Sequence, residues 1–381
     1  MKKTIPLLRL NYTKNEKKNI SKGLEEILNS GFLTMGKKVT QFEELFAKFI
    51  GTKYAVAVNS GTSALEIPLR ALNVKGKSII VPTNTFMATA LATIHAGAKV
   101  IFADVSKQNL SIEPSEIEKK IVSSTVGVIP VHIGGIISPQ WKEIRKICKK
   151  NNLFILEDAA HAHGSKIENQ NAGTLGIAAA FSFYPTKILN TGEGGMITTN
   201  DKSLYKKFIT LRDHGKINPK YNVHTELGYN WRMPEITGLL GVQQVRKAKQ
   251  IISERRSQAQ QYNKLLNNVS NLKLLKVAKK SKSSYYKYIV FVDKKIRNRV
   301  KKNMYKNFGI TLPGEVYNTL CHSQPVFRKN KNLIIKTGDQ FFKNAKKISS
   351  EQLCLPLYPG LKKKEIEYVA QSFKKTLSEF I

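Results

Sequence analysis

Phe181-Ser182-Phe183-Tyr184-Pro185-Thr186-Lys187 carries an aromatic, β-rich run through a Tyr-Pro turn to a lysine. A lysine placed directly after a buried strand emerges from the core at a loop. Ser182 beside it is able to reach an anion. The Gly192-Glu193-Gly194-Gly195-Met196 segment that follows is a glycine-rich turn whose backbone can approach a ligand. An isolated lysine reads first as a surface charge, so Lys187 gains meaning only from its surroundings.

Those surroundings alternate. Tyr54-Ala55-Val56-Ala57-Val58 runs into Gly61 and a helical stretch over residues 63–72. A short strand at 78–81 precedes a helix at 86–95, and residues 100–102, 126–131, 153–156 and 178–183 are further β-rich runs. Short apolar strands separated by helices predict an α/β domain around a largely parallel sheet buried on both faces. Helices at 14–29 and 39–50 precede it, separated by the turn at 31–36. After Gly228 a long helical stretch, 234–266, leads out, with Pro234 in its first turn. A strand at 285–292 and helices at 294–308, 339–353 and 363–377 then predict a smaller C-terminal α/β domain. The division expected is 1–250 for the large domain with its N-terminal helices, and 251–381 for the small one.

Two further strand ends carry chemistry. Asn59-Ser60-Gly61-Thr62-Ser63-Ala64-Leu65 joins hydroxyls, a permissive glycine and a helix N-terminus, which makes an anion seat suited to phosphate or an ordinary helix cap. Neither a dinucleotide fingerprint nor a Walker loop is present. Leu156-Glu157-Asp158-Ala159-Ala160-His161-Ala162-His163-Gly164 sets two acids and two imidazoles after a buried strand, where ligands sit in open α/β sheets. Asp158 reads as a helix cap, a metal ligand, or the anion that keeps a heterocyclic nitrogen protonated. Its spacing to His161 and His163 matches no common zinc motif, and no metal is expected. An anion seat, a carboxylate and a lysine at three strand ends compose a pyridoxal 5′-phosphate (PLP) site: phosphate anchor, pyridinium partner and amine.

With these segments on the page, the chain resembles the DegT-type (DegT/StrS) nucleotide-sugar aminotransferases of PLP fold type I. The resemblance rests on residues 31–36, 59–65, 81–86, 157–164, 182–187 with 192–196, 211–215, 228–234 and 355–361, in the family's order along nearly the whole chain. It implies a mixed, mostly parallel sheet flanked by helices. Lys187 would be the Schiff-base lysine and Asp158 the pyridinium partner. Phe86 would stack on the cofactor ring, and His161 would stand where the family often has glutamine. Thr62, Ser63 and Ser182 would hold the phosphate. Asn230 would reach it from the neighbouring subunit, so the sites of a homodimer would lie at its interface. Arg232 is a candidate for carboxylate or substrate contact. His322 reads equally as a residue of the site's rim and as an ordinary loop histidine.

The activity implied is amino transfer from an amino acid, L-glutamate by expectation, through PLP and pyridoxamine phosphate (PMP) onto a keto-sugar. A nucleotide-linked sugar destined for surface polysaccharide or glycoconjugate is the substrate class expected. Relatives with histidine for lysine remove a sugar hydroxyl instead, and Lys187 favours transamination. The alternatives are a PLP/PMP-dependent sugar dehydratase on this scaffold, and a non-catalytic regulatory or polyanion-binding protein.

Composition bounds the rest. The 381 residues are 41% hydrophobic and 24% charged, ordinary for a globular chain, and 63 Lys+Arg against 27 Asp+Glu give +36. That charge raises nucleic-acid binding. The lysines are instead dispersed in short groups such as Lys119-Lys120 and Lys149-Lys150, where amphipathic helices would face solvent, and no basic module or tail appears. No specific nucleic acid is expected. No segment approaches a membrane span, and the basic N-terminus lacks a signal peptide's apolar core. Cys148, Cys321 and Cys354 form neither a disulfide framework nor a metal motif, which fits a reducing cytoplasm.

Overall fold

The computed structural model describes residues 4–380 other than Asn11, Pro219, Lys220 and Asp339. The strands, in chain order, are β1 (Tyr54–Val58), β2 (Ser78–Pro82), β3 (Lys99–Ala103), β4 (Thr125–Val128), β5 (Phe154–Asp158), β6 (Lys166–Ile167), β7 (Gln170–Asn171), β8 (Ala178–Ser182), β9 (Gly195–Thr199), β10 (Lys273–Leu274), β11 (Ser281–Lys282), β12 (Tyr288–Phe291) and β13 (Gln352–Leu355). Seven of them form the main sheet in the order β1-β9-β8-β5-β4-β2-β3. The pairs from β8 to β3 are parallel. β9 lies antiparallel to both neighbours. Helices on both faces bury β2 and β9 along their whole lengths, as their apolar and β-branched residues require.

Where the structure departs from the sequence reading, the reasons are local. The glycine-rich segment 192–196 is a turn only to Gly194, and Gly195 and Met196 open β9. The predicted helix 234–266 is two, Glu235–Arg246 and Ala248–Leu266, broken where Lys247 takes φ −100° and ψ 6°. Pro234 is extended at the N-cap rather than inside the first turn. The predicted helix 339–353 is confined to Lys343–Glu351, because its apolar end pairs as β13 with β12; residue 339 lies outside the described residues. The strand predicted at 285–292 narrows to β12, and the helix at 294–308 begins at Arg297. Lys120 is buried instead of solvated, and its Nζ donates to the Thr337 carbonyl at 2.6 Å.

The small sheet β10-β12-β13 serves two cores at once. Alternation along β12 sends Ile289 and Phe291 into the main core, while Tyr288 and Val290 pack with Tyr262, Leu355, Tyr358 and Phe373 in a second one. This double packing presses the segment before β12 against the C-terminal ends of β5 and β8. The site lies there.

Candidate active site

The turn that presents Lys187 is closed at both ends. Its N–H donates to the Tyr184 carbonyl at 2.8 Å, and Phe183 N–H donates to the Gly194 carbonyl at 2.9 Å. Gly194 has φ +156°, open to glycine alone at no cost. Lys187 Nζ sits 4.9 Å from the centre of the Tyr286 ring. Burial brings its amine down to about 8, with Asp158 pulling the other way.

Asp158 ends β5, almost fully buried. Thr89 Oγ1 donates to its Oδ2 at 2.8 Å and the Ala160 N–H to its Oδ1 at 3.2 Å. Burial raises the carboxyl, while these two bonds and the charge of Lys187 lower it. Strand alternation turns the neighbouring Glu157 to the other face. There it accepts from His132 Nε2 and from the N–H groups of Gly173, Leu175 and Gly176, all at 2.7–2.9 Å. Of the two adjacent acids, one is a fully bonded clamp and the other faces a cavity.

The two imidazoles also part. His163 packs among Phe46, Phe181 and Phe183, and burial drops it to about 3. His161 stacks on Tyr286 with ring centres 3.9 Å apart. Burial, then Lys187 and Lys287, hold it well below its ordinary value and hence neutral. Its Nδ1 accepts from the Gly134 N–H, so Nε2 carries the proton and donates to the Tyr317 hydroxyl at 3.2 Å. Among the described residues no cluster of His, Cys, Asp or Glu is disposed to hold a metal ion.

The anion seat is built by contact between a helix start and a strand end. Ser60 caps the helix Gly61–Ala71, its side chain accepting from the Ser63 N–H. The N–H groups of Gly61 and Thr62 belong to the first turn, which has no intrahelical acceptors for them. A methyl group on Gly61 would stand 2.7 Å from Cβ of Ser182, so glycine is what lets the Ser182 hydroxyl join the seat.

Thr62, Phe86, Asp158, His161, Ser182 and Lys187 line one cavity of about 490 Å³, together with Ser60, Tyr286 and Tyr317. Phe86 is 60% exposed and presents its ring there, 5.8 Å from that of Tyr317. Four of the expected residues stand apart. Ser63 is buried behind the seat, its hydroxyl donating to Asn59 Oδ1 at 2.7 Å. Asn230 is exposed, bridged to Asp213, and outside this cavity of its own chain. Arg232 is ion-paired with Asp213. His322 hydrogen-bonds Thr83 and packs on Phe342, and it is not among the residues that line this cavity. Sequence reasoning missed Thr89, Tyr286 and Tyr317. The first reads as one position of an apolar helix, and the tyrosines meet His161 across more than a hundred residues of chain.

An amine of lowered basicity, a carboxylate, an exposed aromatic face and a hydroxyl-and-amide seat for phosphate surround one cavity of cofactor size. These groups fit PLP and define a PLP-dependent transferase of fold type I. The chain belongs to the DegT/DnrJ/EryC1/StrS aminotransferase family, whose model matches residues 14–374. Spore coat polysaccharide biosynthesis protein SpsC of Bacillus subtilis is 34% identical over 365 residues, 92% of each chain. GDP-perosamine synthase of Escherichia coli O157:H7 is 31% identical over 99% of this chain and 100% of its own. Among solved structures, NtdA from Bacillus subtilis with bound cofactor PMP superposes with a TM-score of 0.88 at 26% identity, covering 98% of this chain and 85% of that one. The chain is thus a PLP-dependent enzyme of the sugar aminotransferase family.

Proposed function

We propose that the protein transfers an amino group from an amino acid, L-glutamate in the first instance, onto a nucleotide-linked keto-sugar for surface polysaccharide or glycoconjugate synthesis in the cytoplasm. The observation that carries this reading is the shared cavity of Lys187 and Asp158. Bound there, PLP supplies an electron sink for the carbon that exchanges its proton. Lys187 Nζ, with a proton affinity tuned to near-neutral pH, takes and returns that proton as general base and acid. Asp158 would supply a negative charge for the ring nitrogen, and Phe86 and His161 would pack against the ring. Thr62, Ser182 and the first-turn N–H groups would hold the phosphate.

The same reading includes a homodimer with both sites at the interface. Exposed apolar side chains support it: Phe32 (70%), Leu33 (56%), Leu227 (87%) and Tyr229 (50%) flank the segment bearing Asn230 or lie beside it through the Thr34–Pro234 bridge. Asn230 would then complete the partner's phosphate seat, and Arg232 would meet substrate only after release from Asp213. The division into units 1–250 and 251–381 belongs to this proposal as well.

The test is a panel of nucleotide-linked keto-sugars incubated with PLP-loaded enzyme and L-glutamate, read by mass spectrometry. A product carrying an amine in place of the carbonyl oxygen is expected, and it should vanish with Lys187→Ala. Loss of a hydroxyl without gain of nitrogen would establish the dehydratase alternative.

A further inference from the structure

Asp158 is a buried carboxylate with unusually few supports. It accepts two hydrogen bonds, from Thr89 Oγ1 at 2.8 Å and from the Ala160 N–H at 3.2 Å. Lys187, the larger electrostatic influence on it, and His132 act only through space. His161 is neutral, and Tyr317, on the segment that closes the cavity, keeps its phenol proton because burial and the nearby Tyr286 and Asp158 raise it well above its ordinary value. Among the described residues no other group donates to the Asp158 carboxylate. Thr89 is fully buried, and its Oγ1 is in turn 2.8 Å from Oγ1 of Thr85, which lines the cavity.

The direction of this chain follows from its end. An ionised carboxylate only accepts, so Thr89 must donate to it. The single proton of Thr89 is then used, and Thr85 must donate to Thr89. A hydroxyl that itself receives a hydrogen bond is a stronger donor. Both hydroxyls therefore point their dipoles at Asp158 and favour its charged form.

We infer that Thr89, backed by Thr85, is a positioning residue that keeps Asp158 ionised and so keeps the proton on the cofactor's ring nitrogen. The inference rests on the reading that Asp158 faces that nitrogen. If the Thr89 bond is removed, the carboxylate becomes more basic. The shared proton moves from the ring nitrogen toward Asp158, and the electron sink weakens.

The experiment uses holoenzyme loaded with PLP carrying nitrogen-15 in its ring, because the chemical shift of a pyridine nitrogen reports its protonation directly. Wild type should show a protonated nitrogen at neutral pH. Thr89→Val should move the signal toward the unprotonated position, a redistribution of roughly tenfold or more for loss of a hydrogen bond to a charged group. Thr89→Ser should restore it. Thr85→Val should shift it in the same direction but less, and this reads the chain even where Thr89→Val folds poorly. A folded Thr89→Val or Thr85→Val holoenzyme with wild-type shift across the pH range would overturn the role of the hydroxyls alone. An unprotonated nitrogen in wild type, or one unaffected by Asp158→Asn, would overturn the assignment of Asp158 beneath it.

Discussion

Lys187 is held in a state that the fold itself disfavours. An ammonium group surrendering most of its hydration lowers its proton affinity, here from 10.5 to about 8. The sign of the consequence is definite. Because the folded value lies below the unfolded one, the partly buried lysine costs stability at pH below about 8, and that cost fades as pH rises toward 10.5. Replacing Lys187 by Met, which keeps the apolar stem without the charge, should stabilise the cofactor-free protein at pH 7 by roughly 2–3 kcal/mol, less whatever water in the cavity screens. Thermal melts of both proteins would show the gap narrowing above about pH 8 and closing near 10.5. A gap that is absent at pH 7 would mean the amine is solvated. The same substitution should abolish turnover, the usual opposition between stability and activity at a working site.

At the scale of elements, the phosphate seat depends on how closely β9 and β8 approach the start of the helix Gly61–Ala71. Gly195 opens β9, and a methyl group there would lie 2.1 Å from the Ser60 carbonyl oxygen. The atom in the way is backbone, so relief requires β9 or the helix to move. Gly195→Ala should cost about 1–3 kcal/mol of stability, the range of core overpacking. Because the displaced helix start is the seat itself, PLP affinity should fall by about tenfold or more, as even ~1.4 kcal/mol of misplacement would require. Melting and fluorescence titration with PLP check the two effects separately. A destabilised variant with unchanged affinity would show that the helix start holds its place without β9.

For the whole molecule, the dimer proposed above predicts complementation. Asn230 lies outside the cavity of its own chain, so an Asn230→Ala subunit with an intact Lys187 borrows the missing amide from a partner that has one. Co-expressing Asn230→Ala with Lys187→Ala should therefore restore about a quarter of the wild-type sites by random pairing, although each variant alone is inactive. Assay of the mixed and the separate proteins checks this. No recovery would place Asn230 in the service of its own chain. The dispersed charge belongs to this scale too. Several lysines are committed within the fold, as Lys120 to Thr337, Lys38 to Glu26 and Lys301 to Glu315 show, so +36 does not describe a single binding face.

Local chemistry determined what a short run of residues can express. The strand-turn-lysine run at 181–187, the Ser-Gly-Thr seat at 60–62 and the acid at the end of β5 could be read because each couples a backbone preference to a functional group within a few positions. The α/β class followed from the same alternation of strands and helices. Tertiary structure decided whatever depends on partners remote in the chain. It separated Glu157 from Asp158 by giving one four donors and the other a cavity, and it turned Ser63 away from the seat by way of Asn59. It set β9 antiparallel where glycines had suggested only a turn, and it ended the helix Lys343–Glu351 to supply β13. It also brought Tyr286 and Tyr317 to His161 and Thr89 to Asp158. The physical reason is common to these cases: hydrogen bonding and burial are set by distance in space, which side-chain type and sequence spacing do not encode.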